Sequence, residues 1–175
     1  FGLARMSVSL LIEQDYFGVV GQASANDRFG SSLAGGDFDG NGRSDLAVGV
    51  PRKDAESPAV GDAGAVHILY SGTGGSNELW FQGHDALGDT AELDDRFGSS
   101  LAAGDFDDDG FADLAVGVPL EDREGVAPAA DAGIVQILNG SADGLTAGGS
   151  QLWNQDSAGI DGAVEANDRF GTVLL

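Results

Sequence analysis

Eight of the 22 aspartates of this chain sit in two short stretches of closely matched spacing, DFDGNGRSD at 37–45 and DFDDDGFAD at 105–113. Each puts an oxygen-bearing side chain at its first, third, fifth and ninth positions and a glycine at its sixth. The glycine permits the positive φ that a tight reversal needs. If the backbone wraps around a point, the four side chains converge on it, and hard oxygen donors of that number suit Ca²⁺. The implied ligands are Asp37, Asp39, Asn41 and Asp45 with the backbone carbonyl of Arg43, and Asp105, Asp107, Asp109 and Asp113 with the carbonyl of Phe111. An EF-hand shares the first half of this pattern but needs a bidentate Glu at position twelve. Val48 and Val116 stand there, each inside an apolar run.

A single loop of this kind is as readily an acidic turn. Two in register, each ending in Asp and each entering DLAVGVP, point to two structural Ca²⁺ sites. Without a cation the carboxylates repel and the loop should splay. The second loop has four carboxylates against three in the first, with Asp108 nearby, so tighter binding is expected there.

The elements that must position these loops belong to a repeat. NDRFGSSLAGGDFDGNGRSDLAVGVP at 26–51 matches DDRFGSSLAAGDFDDDGFADLAVGVP at 94–119 without a gap, and NDRFGTVLL at 167–175 opens a third copy. The Phe-Gly pairs fall at Phe29, Phe97 and Phe170, giving periods of 68 and 73 residues. Within a period, short apolar runs alternate with Gly-, Pro- and Asp-rich turns: SSLAGGDF, DLAVGVP, AGAVHILY and ELWFQG in the first copy, then SSLAAGDF, DLAVGVP, AGIVQILN and QLWNQ in the second. Four antiparallel strands per period predict an all-β fold of β-propeller blades. The expected units are a partial preceding blade at 1–25 (SVSLLIEQ and YFGVVGQ as its third and fourth strands), whole blades at 26–93 and 94–166, and the first strand of a further blade at 167–175. Propellers close with about 4–8 blades, so this chain covers part of one.

Composition narrows the partners. There are 22 Asp and 7 Glu among the 29 acidic residues, against 8 basic ones, for a formal charge of −21. Nucleic acid and anionic membrane need a basic footprint, and both are excluded as expected partners. With 42% apolar residues the chain can build a core. There is no cysteine, hence no disulfide or thiolate metal site. No apolar run approaches the length of a membrane span. The chain opens at Phe1-Gly2 without a signal peptide and reads as a mature or excised piece.

Phe-Gly, an acidic loop and then DLAVGVP together resemble the FG-GAP repeat of integrin α-subunit propellers and their bacterial relatives, with GVP standing for GAP. The resemblance covers 26–175 and implies a calcium-binding propeller, with structural calcium in the hairpin between the first two strands of a blade. It also implies protein ligands on the opposite, loop-rich face. The ion ligands named above match residue by residue; no partner-binding residue can be transferred.

The function expected is a calcium-stabilised, non-catalytic propeller segment serving outside the cell as an adhesion or protein-interaction scaffold. The alternatives are an accessory module of a secreted hydrolase or lipase, or a self-assembling ring of identical chains. Partners are a protein ligand, sought on the long loops at 51–64 and 119–133, or self-association through exposed strand edges. Trp80 and Trp153 are read as packing between blades, with carbohydrate stacking the alternative. Arg28, Arg96 and Arg169, each between an Asp and a Phe-Gly, are read as one structural ion pair per blade. His67 and His84 have no partner histidine at metal spacing, and no G-x-S-x-G elbow is present.

Overall fold

The computed structural model describes residues 11–14, 19–56, 59–72, 77–84, 87–123 and 129–175. Ten strands run in chain order: β1 Ser32–Gly36, β2 Asp45–Val50, β3 Ala55–Glu56, β4 Ala59–Val60, β5 Ala65–Leu69, β6 Glu78–Trp80, β7 Ser100–Gly104, β8 Asp113–Val118, β9 Ile134–Asn139 and β10 Thr146–Trp153. No α-helix occurs among the described residues. Two antiparallel four-stranded sheets result, β1-β2-β5-β6 and β7-β8-β9-β10, each pairing its strands in the order in which the chain makes them. Each has the four antiparallel strands expected of a propeller blade. The small hairpin β3–β4, inside the long loop of the first, was not foreseen. The last strand also starts five residues before QLWNQ, at Thr146, and its register shifts before Gln151.

Sequence pattern explains which strands lie inside. DLAVGV is apolar on both faces, and the copies β2 and β8 are almost wholly buried at the second position of each sheet. A strand covered on both faces needs no alternation. β1 does alternate, and it turns Leu33 outward at 60% exposure.

The blades meet face to face through β1 and β7. Ser32 Oγ of the first donates to the carbonyl of Gly98 in the second at 2.7 Å. Ser100 Oγ repeats that bond to the carbonyl of Gly171 at 2.6 Å. The backbones approach so closely that a Cβ at Gly49 would overlap Ser32 Oγ and the Gly98 carbonyl, and one at Gly117 would overlap Ser100 Oγ and the Gly171 carbonyl. The GVP of each repeat therefore needs its glycine for docking. Phe97, fully buried, bonds through its N–H to the Ala63 carbonyl, and Phe170 does the same to Ala132.

The expected third and fourth strands of a preceding blade, SVSLLIEQ and YFGVVGQ, lie largely outside the described residues; the parts described, 11–14 and 19–22, form no strand. Residues 171–175 likewise form no strand, since none of the described strands pairs with them.

Candidate metal centre

Each acidic loop joins the first two strands of its blade, β1 to β2 and β7 to β8. In the first, the reversal is made by Gly40 at φ 67° and Gly42 at φ 83°; in the second, by Asp108 at φ 60° and Gly110 at φ 94°. The left-handed sixth position was legible as glycine. The fourth was not singled out, although Gly40 in the first copy signalled it and Asp is among the few other residues that tolerate it.

The geometry brings acids together in both loops. One carboxylate oxygen from each of Asp37, Asp39 and Asp45 lies within 4.8 Å of the others, as do those of Asp105, Asp107 and Asp109. Backbone N–H groups hold the carboxylates inward. Gly42 N donates to Asp37 Oδ2 at 2.8 Å and Asn41 N to Asp39 Oδ1 at 3.1 Å. Gly110 N donates to Asp105 Oδ2 at 3.0 Å and Asp109 N to Asp107 Oδ1 at 3.1 Å. The ninth-position acids are buried and bridge the loop to the next hairpin. Asp45 accepts from Phe38 N (3.0 Å) and Ser71 N (2.7 Å). Asp113 accepts from Phe106 N (2.7 Å) and Gly140 N (2.8 Å).

The loops also differ. Asp113 stands outside the second triple, whereas Asp45 is a member of the first. Asn41 accepts from Arg43 N at 3.0 Å, while its Nδ2 donates to Asp39 Oδ2 at 2.8 Å and the Ser71 carbonyl at 3.0 Å. Asp109 accepts from Phe111 N at 2.9 Å. The Phe111 ring lies against Gly40, so the loop of one blade is walled by the next.

Two observations test whether these donors fit a cation. Asp37 Oδ1 is buried with no hydrogen-bond partner, an arrangement that costs free energy unless something positive meets it. In the second loop, removal of water together with the charges of Asp109, Asp113 and Asp105 holds the Asp107 carboxyl above its ordinary pKa. Both loops therefore present oxygen-only donors short of positive charge, the set a hard divalent cation would take.

The recurrent Asp-Arg-Phe-Gly segments are turns. Asn26, Asp94 and Asn167 have φ of 75°, 69° and 69°, and Arg28, Arg96 and Arg169 have φ of 61°, 62° and 53°. Arg96 approaches Asp94 at 3.6 Å; what all three arginines share is the backbone conformation and a carbonyl that accepts from Ser31, Ser99 or Thr172. Trp80 is 3% exposed, and its Nε1 donates to Glu78 Oε2 at 2.9 Å. Tyr70 Oη donates to the same oxygen (3.0 Å) and accepts from Leu145 N of the second blade (2.8 Å). Trp153 is half-buried and bonds Gln151 Oε1 at 3.1 Å.

Comparison with known proteins agrees with this geometry. The FG-GAP repeat family matches residues 29–69 and 97–138, which take in both acidic loops. Integrin alpha-PS2 of Drosophila melanogaster is 34% identical over 164 residues, 92% of this chain. Integrin alpha-4 of Xenopus laevis is 35% identical over 126 residues (70% of the chain), and human integrin alpha-7 is 36% identical over 133 (75%). The chain spans only about a tenth of these relatives, 11%, 11% and 10% of their lengths.

Proposed function

The chain belongs to the FG-GAP repeat family, and from that premise we propose that it is a calcium-stabilised propeller segment, non-catalytic, serving outside the cell as an adhesion or protein-interaction scaffold. The observation that carries the calcium is the acid triple repeated at the same hairpin of both blades, with the buried Asp37 Oδ1 left without a donor in the first. One ion per loop would be held by Asp37, Asp39, Asn41, Asp45 and the Arg43 carbonyl, and by Asp105, Asp107, Asp109, Asp113 and the Phe111 carbonyl. Its role there is structural. It neutralises carboxylates that the backbone N–H groups already aim inward, and so ties β1 to β2 and β7 to β8.

The adhesive and extracellular part of the reading is supported by the integrin α relatives. The blades are read as 26–93 and 94–166, with 1–25 and 167–175 as parts of flanking blades. The docking of Phe170-Gly171 on the second blade, bond for bond like that of Phe97-Gly98 on the first, supports that division. Protein ligands are sought on the loops at 51–64 and 119–133, at the end of each sheet opposite the acidic hairpins, because loops on a rigid scaffold carry recognition.

Thermal unfolding in calcium, magnesium and chelator tests the reading. At a concentration a hundredfold above Kd, one calcium adds about 2.7 kcal/mol, a rise of roughly 5–10 °C for a chain of this size. Equal midpoints in the three buffers would reduce the loops to acidic turns.

A further inference from the structure

The repeat inverts a buried charge away from the acidic hairpins. In the first blade Lys53, the only lysine of the chain and 7% exposed, points its ammonium at Asp27 Oδ2 (3.9 Å) and donates to the Gln22 carbonyl (2.9 Å). One period of the repeat further on, Asp27 becomes Asp95 and Lys53 becomes Glu121. The backbone bonds around them do not change. Lys53 N donates to the Val50 carbonyl and the Lys53 carbonyl accepts from Gly64 N; Glu121 N donates to the Val118 carbonyl and the Glu121 carbonyl accepts from Gly133 N. Arg52 N reaches the Asp27 carbonyl as Leu120 N reaches that of Asp95. The two side chains start from the same place in their blades, one a cation and the other an acid.

The acid stays buried. Glu121 is 4% exposed and Asp95 1%. Asp95 Oδ2 accepts from Glu92 N at 2.5 Å, as Asp27 Oδ2 accepts from Ser24 N at 2.9 Å. Gln82 Nε2, an uncharged donor, bonds Glu121 Oε2 at 2.5 Å, and the carboxyl groups of Asp89 and Glu121 are hydrogen-bonded to each other. Ionised carboxylates only accept, so that last bond needs a proton on one of the two. The charges that face Glu121 offer no substitute for it. Asp89 and Glu92 come from the loop after β6, Asp95 from the Phe-Gly turn, and Asp122 and Arg123 from its own loop. Arg123, the cation among them, pairs with Asp156 at 2.7 Å. Burial first, and then the charges of Asp95 and Asp89, push the Glu121 carboxyl up to about 9 from 4.5. Burial, with the charges of Glu92 and Asp89, pushes Asp95 up to about 7 from 3.8, against the bond from Glu92 N.

We propose that the second blade fills the place of the Lys53 ammonium with a proton: Glu121 stands at neutral pH as a carboxylic acid bonded to Asp89, and loss of that proton in mild alkali releases the loop ends at Leu120–Glu121 and Gly133. A cavity of about 200 Å³ opens onto Asp89 and Glu121 and lets water carry the proton in and out. Once both acids are ionised they repel each other across the bond that has lost its hydrogen, while burial denies them water. The repulsion acts on the backbone bonds from Gly133 N to the Glu121 carbonyl and from Leu120 N to the Asp95 carbonyl. Asp95 leads into Arg96 and Phe97, whose N–H groups dock on the carbonyls of Asp62 and Ala63 in the first blade. The release therefore reaches the junction between the blades. The first blade, with Lys53 against Asp27, has no such device. The inference goes beyond the calcium reading and shares no residue with the hairpins.

The test follows the glutamate carboxyl carbons by NMR, and the urea midpoint, from about pH 5 to pH 10. It uses the whole 175-residue chain in excess calcium, so that the hairpin acids stay ionised throughout. One glutamate should titrate near pH 9, and its signal should be missing in Glu121→Gln. The folded value lies above the unfolded 4.5, so the folded chain keeps a proton that the unfolded chain has given up. Stability is whole below about pH 4.5 and is lost as pH rises toward 9; between about pH 7 and 9 the folding constant should drop about tenfold per pH unit. Glu121→Gln, which has the shape of the uncharged acid, and Glu121→Lys, which copies the first blade, should each flatten that decline. If neither variant folds, the titration of the unmodified chain decides alone. Every glutamate titrating below about pH 6, or an alkaline decline that persists in a folded Glu121 variant, overturns the proposal.

Discussion

Phe38 and Phe106 occupy the same position in two loops of nearly the same sequence, yet Phe38 is fully buried and Phe106 is 53% exposed. Leu33 and Leu101 differ in the opposite sense, 60% against 7%. The two residues lie on opposite faces of a blade. Where the blades meet, Phe38 of the first and Leu101 of the second are covered. Away from that contact, Leu33 and Phe106 are not. Burial at these positions is a property of the neighbouring blade, and the first acidic loop gains from it a wall, Phe111 against Gly40, that the described structure does not place on the second.

The comparison can be broken most sharply at its centre. Phe38→Ala should cost about 3–5 kcal/mol in chemical denaturation, the range for a buried aromatic, whereas Phe106→Ala should cost less than about 1 kcal/mol. Equal losses would mean that Phe106 is covered in solution, by a further blade or a second chain.

His67 and its counterpart Gln136 give the next contrast. His67 is fully buried with neither ring nitrogen bonded. Burial, and then the Lys53 charge, lowers its pKa to about 4 from 6.5. Its folded value lies below its unfolded one, so the unfolded chain takes up the proton first. Stability is whole above about pH 6.5 and is lost as pH falls toward 4, by up to roughly 3 kcal/mol. His67→Gln, which installs the residue of the second blade, should flatten that part of the pH profile.

A smaller effect separates the two loops themselves. If carboxylate count governs affinity, Asp113→Ala should weaken calcium binding about tenfold more, or ~1.4 kcal/mol, than Asp45→Ala does. Calorimetric titration of both variants measures this. A larger loss at the first loop would show that the wall of the neighbouring blade outweighs one added charge. Smallest of all, Tyr70→Phe removes the bond from Leu145 N to Tyr70 Oη between the blades and that from Tyr70 Oη to Glu78 within the first, at a cost of about 1 kcal/mol. Asn139, the counterpart of Tyr70 in the second blade, should tolerate Asn139→Ala with little change.

Residue pattern was enough to read the period, the order of strands, the two acidic hairpins and the Phe-Gly turns. Each of these is written in local residue chemistry: glycine where φ is positive, aspartate where a turn needs an acceptor, an apolar run where a strand is buried on both faces. Tertiary structure alone decided what the second serine of the Phe-Gly-Ser-Ser turn does, bonding across to Gly98 in the first blade and to Gly171 in the second. It also decided why GVP cannot become AVP, and which of two identical phenylalanines is inside. The charge inversion from Lys53 to Glu121 lies between these cases. Its register was readable from the period, but only the structure shows both side chains buried, Lys53 beside Asp27 and Glu121 beside Gln82. Local sequence sets backbone conformation within a few residues, whereas burial and the loss of water depend on atoms some 68 residues away along the chain.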